Sequence, residues 1–126
     1  MSFSTIAIIG LGLQGGSIGL AVKAYLPRAR TTGYDVSPAH RARAAERGLV
    51  DEVCETPADA VRNADLVIFC VPPGAMGMAA EQVREALPAH CLVSDVGSSK
   101  QAIARDLGAA LPDHHVIGQR LSLIHI

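Results

Sequence analysis

Thr5-Ile6-Ala7-Ile8-Ile9-Gly10-Leu11-Gly12-Leu13-Gln14-Gly15-Gly16-Ser17 is the stretch that decides the fold of this chain. An apolar, β-branched run leads straight into G-x-G-x-x-G at Gly10, Gly12 and Gly15. Such a run suits a strand buried on both faces of a parallel sheet. Ser17 to Ala24 then reads as a helix with an apolar face. Each glycine has its own task in this pattern. Gly10 permits the tight turn, Gly12 lets backbone approach a pyrophosphate, and Gly15 lets the helix pack closely on the strand. The helix start offers free N–H groups and the positive end of the helix dipole to that anion.

Alone, six positions of this kind match often by chance. Here the context agrees. Thr31-Thr32-Gly33-Tyr34-Asp35 reads as a second strand, and Asp35 falls twenty residues after Gly15. That is the spacing of the carboxylate that accepts a ribose 2′-hydroxyl in dinucleotide sites. Its charge would repel a 2′-phosphate, which favours NAD over NADP. The plainer alternative is a tight turn without a ligand, followed by a solvated turn aspartate. Arg41 and Arg43 could soften the NAD preference, although solvation of the outer face of the next helix is the simpler role for both.

The chain has 126 residues, enough for one domain with a real core. It is 49% hydrophobic, 18% charged and close to neutral at −1, which excludes disorder and gives no reason to expect a nucleic-acid or anionic-membrane partner. No apolar stretch is long enough for a membrane span, and Met1-Ser2-Phe3-Ser4 lacks the basic start of a signal peptide. Cys54, Cys70 and Cys91 form no C-x-x-C pair, so a cytoplasmic protein with buried free thiols is expected.

Taken in order, Ser37-Pro38 should cap a helix through His40 to Glu46, stopped by Gly48. A short strand is expected near Val53–Glu55, then Thr56-Pro57 capping a helix over Ala58–Arg62. Leu66–Val71 is the clearest strand after the first, broken by Pro72-Pro73-Gly74. A helix over Ala75–Leu87 and a strand over Cys91–Val96 follow. Gly97-Ser98-Ser99 is a loop, Lys100–Leu111 a helix, and His115-Val116-Ile117 the start of a sixth strand. Alternating strands and helices give an α/β fold, a doubly wound parallel sheet with right-handed crossovers and helices on both faces, in a single domain. Ligands then bind outside the carboxyl ends of the strands, where the strand order reverses.

Few other residues carry chemistry. Val71-Pro72-Pro73-Gly74 is equally a loop beside a cofactor or a plain strand-ending turn. Asp95-Val96-Gly97-Ser98-Ser99-Lys100 could bind an anionic, hydroxylated substrate, but on residue types alone a serine capping the next helix is favoured. His40, His90, His114 and His115 have no metal-ligand spacing, so no metal is expected. Met76 and Met78 read as packing. No P-loop lysine pattern occurs.

Taken together, Ile6 to Ser17, Gly33-Tyr34-Asp35, Ala64-Asp65-Leu66-Val67, Val71-Pro72 and Asp95 to Lys100 resemble the prephenate/arogenate dehydrogenases of tyrosine biosynthesis, over about residues 5–118. The Gly15-Gly16-Ser17 run and the D-V-G-S-x-K stretch carry most of this resemblance. It implies a Rossmann-type domain that holds NAD through Gly10, Gly12, Leu13, Gln14, Gly15, Gly16, Asp35, Val71, Pro72 and Gly97. It also implies oxidative decarboxylation of prephenate or arogenate, with Ser98 assisting a catalytic histidine at the substrate hydroxyl. Gln14 stands where the family usually has an apolar residue.

That histidine belongs in a histidine-proline pair near positions 119–121, where this chain reads Gln119-Arg120-Leu121. We therefore expect residues 1–120 to be a truncated dinucleotide-binding domain that holds NAD without turnover. The full-length protein would add a helical second domain and form a homodimer. Leu121-Ser122-Leu123-Ile124-His125-Ile126 is the translation of CTGTCTCTTATACACATC, the end of a transposase-based sequencing adapter, so residues 121–126 are expected to be a non-native tail. Two other functions fit the fingerprint: an imine- or β-hydroxyacid-type reductase, and a non-catalytic dinucleotide-sensing module.

Overall fold

In the computed structural model, which describes residues 4–95 and 116–117, the chain alternates strand and helix from its first residues onward. The elements are β1 (Thr5–Ile9), α1 (Leu13–Tyr25), β2 (Arg30–Tyr34), α2 (Pro38–Arg47), β3 (Glu52–Val53) and α3 (Pro57–Val61). Then come β4 (Leu66–Phe69), a 3-10 turn (Pro73–Ala75), α4 (Met76–Val83), β5 (Leu92–Asp95) and β6 (Val116–Ile117). All strand pairs are parallel, in the order β3-β2-β1-β4-β5-β6. This is the doubly wound order, and it reverses between β1 and β4.

The apolar run of β1 is explained by burial on both sides. Ala7 and Ile9 pack with Val67, Phe69 and Val93 under α3 and α4. Ile6 and Ile8 pack with Leu66 and Ile68 under α1 and α2. Each isoleucine removed from water in this way contributes roughly 1.5–3 kcal/mol. The polar residues of β2 are satisfied instead of excluded. Buried Thr32 donates its hydroxyl to the Ala60 carbonyl at 2.7 Å, and Thr31 exchanges hydrogen bonds with Asp51.

The caps formed as their residues dictate. Ser37 Oγ accepts from the His40 N–H, Thr56 Oγ1 accepts from the Asp59 N–H, and Gly48 closes α2 at φ 62°. Strand β3 spans Glu52–Val53 and not Val53–Glu55, and three further boundaries differ from the sequence expectation by two residues or more. Helix α1 begins at Leu13, four residues before Ser17, because Gly12 already sits at the cap position. Helix α4 ends at Val83 and not Leu87; residues 84–87 continue as turns, with the Ala86 and Leu87 N–H groups donating to the Val83 carbonyl. Strand β4 ends at Phe69, two residues short of Val71, once the Cys70 N–H has bonded Ile9 O at 2.7 Å.

Candidate functional site: a cleft at the carboxyl ends of the strands

A cleft of about 590 Å³ opens where the strand order reverses, bounded by the glycine loop, the end of β2 and the segment after β4. The glycine loop starts at Gly10, whose φ of 103° is left-handed and whose N–H donates to Tyr34 O at 2.7 Å. A Cβ there would lie 2.5 Å from the Cys70 carbonyl oxygen, so only glycine fits both the torsion and the space. Gly15 is fixed by close approach alone, since a Cβ on it would fall 1.8 Å from Gly10 O.

These glycines leave the start of α1 open. Its cap residue, Gly12, has no side chain, and no side-chain cap bond is made. The first intrahelical donor is the Gly16 N–H, which reaches Gly12 O at 2.9 Å. The N–H groups of Leu13, Gln14 and Gly15 therefore have no intrahelical acceptor. No acidic residue occupies the first turn. Three unclaimed donors at a positive helix end suit a phosphate or pyrophosphate.

Asp35 ends β2 beside this loop and is 8% exposed. Its Oδ2 accepts from the Leu11 N–H at 2.7 Å and meets His40 Nδ1 at 3.2 Å. Its Oδ1 accepts from the Ser37 N–H at 2.8 Å. A carboxylate has about four acceptor positions, so one on Oδ1 stays open for a ribose hydroxyl. These bonds fix the carboxylate's orientation before any ligand arrives.

Of the residues expected at the nucleotide, Gly10, Gly12, Leu13, Gln14, Asp35, Val71 and Pro72 line this one cleft. Gly15 and Gly16 are buried beneath it, Gly16 against Leu49. Gly97 and Ser98 lie outside the described residues. Strand β5 nevertheless pairs Asp95 with Phe69, so the chain leaves β5 on the same edge of the sheet.

Arg41 departs from the sequence expectation. It does not merely solvate the outer face of α2: Nη1 donates to Asp35 O at 2.7 Å, and the guanidinium stands 5.6 Å over the Tyr34 ring. His40, set aside on metal spacing, lines the cleft. The signal that would have found it is its position in the first turn of α2, which brings it back over Asp35. Val36 and Leu13 stand at the cleft 80% and 90% exposed, apolar surface of the kind a base or ring covers.

A second cleft, about 480 Å³, lies between β2, β3 and α3. Four of its charges are already paired, Arg30 with Glu52 and Arg62 with Asp59, and it has no glycine loop. Among the described residues no group of His, Cys, Asp and Glu could hold a metal ion. None of the described helices is long and apolar enough to cross a membrane.

Comparison with known proteins places this geometry. Residues 18–120 match the family model described as "Prephenate dehydrogenase, nucleotide-binding domain". The chain is 44% identical over 115 residues to the cyclohexadienyl dehydrogenase of Zymomonas mobilis, covering 91% of this chain and 39% of that protein. It is 33% identical over 112 residues to the prephenate dehydrogenase of Bacillus subtilis, covering 88% of this chain and 30% of that one. Among solved structures, prephenate dehydrogenase from A. aeolicus, in complex with hydroxyphenyl propionate and NAD+, superposes with a TM-score of 0.79 at 25% identity. That match covers 88% of this chain and 39% of the other. The chain thus spans well under half the length of the relatives it matches.

Proposed function

This chain belongs to the family of prephenate dehydrogenase nucleotide-binding domains, and we propose that it is the NAD-binding part of an enzyme that oxidatively decarboxylates prephenate or arogenate on the route to tyrosine. The observation that carries the proposal is the cleft itself. It joins an uncapped helix start, a glycine at φ 103° and a pre-oriented carboxylate with one acceptor position left.

NAD fits these residues. The pyrophosphate would take the N–H groups of Leu13, Gln14 and Gly15, and a ribose hydroxyl would donate to Asp35 Oδ1. Gly12 would let the pyrophosphate pass close to backbone, while Val71 and Pro72 would pass beside the ribose and pyrophosphate. When bound, NAD supplies the hydride acceptor. The chain's own residues would orient it and keep water from one face through Leu13 and Val36.

We assign Ser98 a hydrogen bond to the substrate hydroxyl, supported by the D-V-G-S-x-K stretch that begins at Asp95, where β5 ends level with Phe69 of β4. Residues 1–120 would form the dinucleotide-binding domain, with residues 121–126 outside it. The substrate pocket and a dimer interface would come from the remaining length that the relatives possess. A cytoplasmic setting accords with the free, buried Cys54 and Cys91.

The test is a chimera joining residues 1–118 to the remainder of the Zymomonas mobilis enzyme, assayed for NADH with prephenate and with arogenate. Turnover of either is expected. In that chimera Ser98→Ala should lower kcat by on the order of tenfold or more, with NAD affinity nearly unchanged. NAD binding without turnover in a folded chimera would favour a dinucleotide-sensing module.

A further inference from the structure

The ring of His40 occupies a place that the proposed NAD contacts do not use. It stands in the first turn of α2, on the wall of the cleft. Nδ1 is 3.2 Å from Asp35 Oδ2, and Cε1 lies 4.0 Å from where a Cβ on Gly12 would be. Its side chain is 42% exposed, whereas that of Asp35 is 10% exposed. An ionised carboxylate only accepts, so the proton between them belongs to His40 Nδ1. In the neutral ring Nε2 is then a bare lone pair. It makes no hydrogen bond among the described residues.

Protonation changes this edge of the cleft without breaking the Asp35 bond. Nδ1–H continues to donate to Oδ2, while Nε2 becomes a second donor and the ring a cation. Among the described residues, the charges beside it are few. They are Asp35 and Arg41, whose Nη1 is held on Asp35 O and Val36 O. The glycine loop brings no ionisable side chain, and Cys70 is the one thiol on the cleft wall.

We infer that His40 is a specificity-determining residue, which sets the preference for NAD over NADP according to the protonation of its ring. The inference rests on reading the cleft as the NAD site. Neutral His40 leaves Asp35 to repel a 2′-phosphate with only the Arg41 guanidinium, held on the Asp35 carbonyl, to offset it. Cationic His40 offsets that charge at 3.2 Å and offers Nε2–H to the phosphate. Both dinucleotides share a pyrophosphate, so any gain there cancels in their ratio. The 2′-phosphate carries about −1.5 to −2 charges and takes the difference.

The experiment is calorimetric titration of the full chain with NAD and with NADP at pH 5.5 and pH 8, repeated with His40→Gln and His40→Asn. In the unmodified chain the preference for NAD should shrink roughly three- to tenfold on going to pH 5.5, as expected for one partly screened charge pair. The 2′-phosphate also titrates in this range. The variants measure that background, because their side chains cannot become cationic. In them the preference should change clearly less with pH, with melting temperatures close to that of the unmodified chain.

The same pH dependence in all three proteins would overturn the assignment to His40 and leave the NAD reading intact. A preference that does not change with pH in the unmodified chain would do the same. Failure of the unmodified chain to bind either dinucleotide would overturn both.

Discussion

Asp35 ties the fold together at the place where the proposed NAD site opens. Its carboxylate ties the Leu11 N–H of the glycine loop to the Ser37 N–H at the start of α2, so the cleft's two walls are joined through it. Asp35→Ala should therefore weaken NAD binding by about 1–3 kcal/mol, the usual cost of losing charge-assisted hydrogen bonds. It should also narrow the preference over NADP, since the repelling charge goes with it. Gly15 is the complementary case, fixed by space and not by charge. A Cβ 1.8 Å from Gly10 O must push α1 away from β1, so Gly15→Ala should cost at least about 1–3 kcal/mol in a urea titration. NAD binding should fall with it, because the displaced helix start carries the N–H donors. The spacing of these residues was legible from residue order alone. His40 and Arg41 were not, because their roles depend on the angle at which α2 returns over β2.

Among the elements, β1 and β4 were the most legible, because burial on both faces requires unbroken apolar runs. The caps of α2 and α3 were equally legible, since each rests on a local side-chain-to-backbone bond. The start of α1 was not. Its buried residues are Gly15, Gly16, Gly19 and Val22, so the helix meets the rest of the fold mainly through glycine and leaves little apolar periodicity to read. The end of α4 was missed because Leu87 stays buried in a turn as it would in a helix. A further tie between elements is electrostatic. The Asp65 carboxylate accepts from the Ser4 and Thr5 N–H groups, which holds its pKa below the ordinary carboxylate range and pins β1 to the start of β4. Since the folded pKa is depressed, this contribution is present above about pH 4, the unfolded value, and is lost as pH falls through the folded one. Asp65→Asn should flatten the fall of urea-midpoint stability between pH 5 and pH 3; an unchanged slope would show that the tie contributes nothing.

For the whole molecule, the order β3-β2-β1-β4-β5-β6 makes a single cleft from segments far apart in sequence. That much followed from alternating elements and the rule for ligands in doubly wound sheets. Two thiols, Cys54 and Cys91, report the packing of the layer under α3 and α4. Burial pushes the Cys91 thiol up to about 12 and also raises that of Cys54. Neither should react with a thiol reagent at pH 8 until the chain unfolds, and rapid labelling of Cys91 under native conditions would contradict the packing described. The central claim is that this cleft binds NAD by its glycine loop and Asp35, and calorimetric titration of the chain with NAD, beside Asp35→Ala, tests it most directly. Saturable one-to-one binding, weakened about five- to hundredfold in the variant, is the predicted result. Absence of binding in the unmodified chain, or equal affinity in a folded variant, would contradict it.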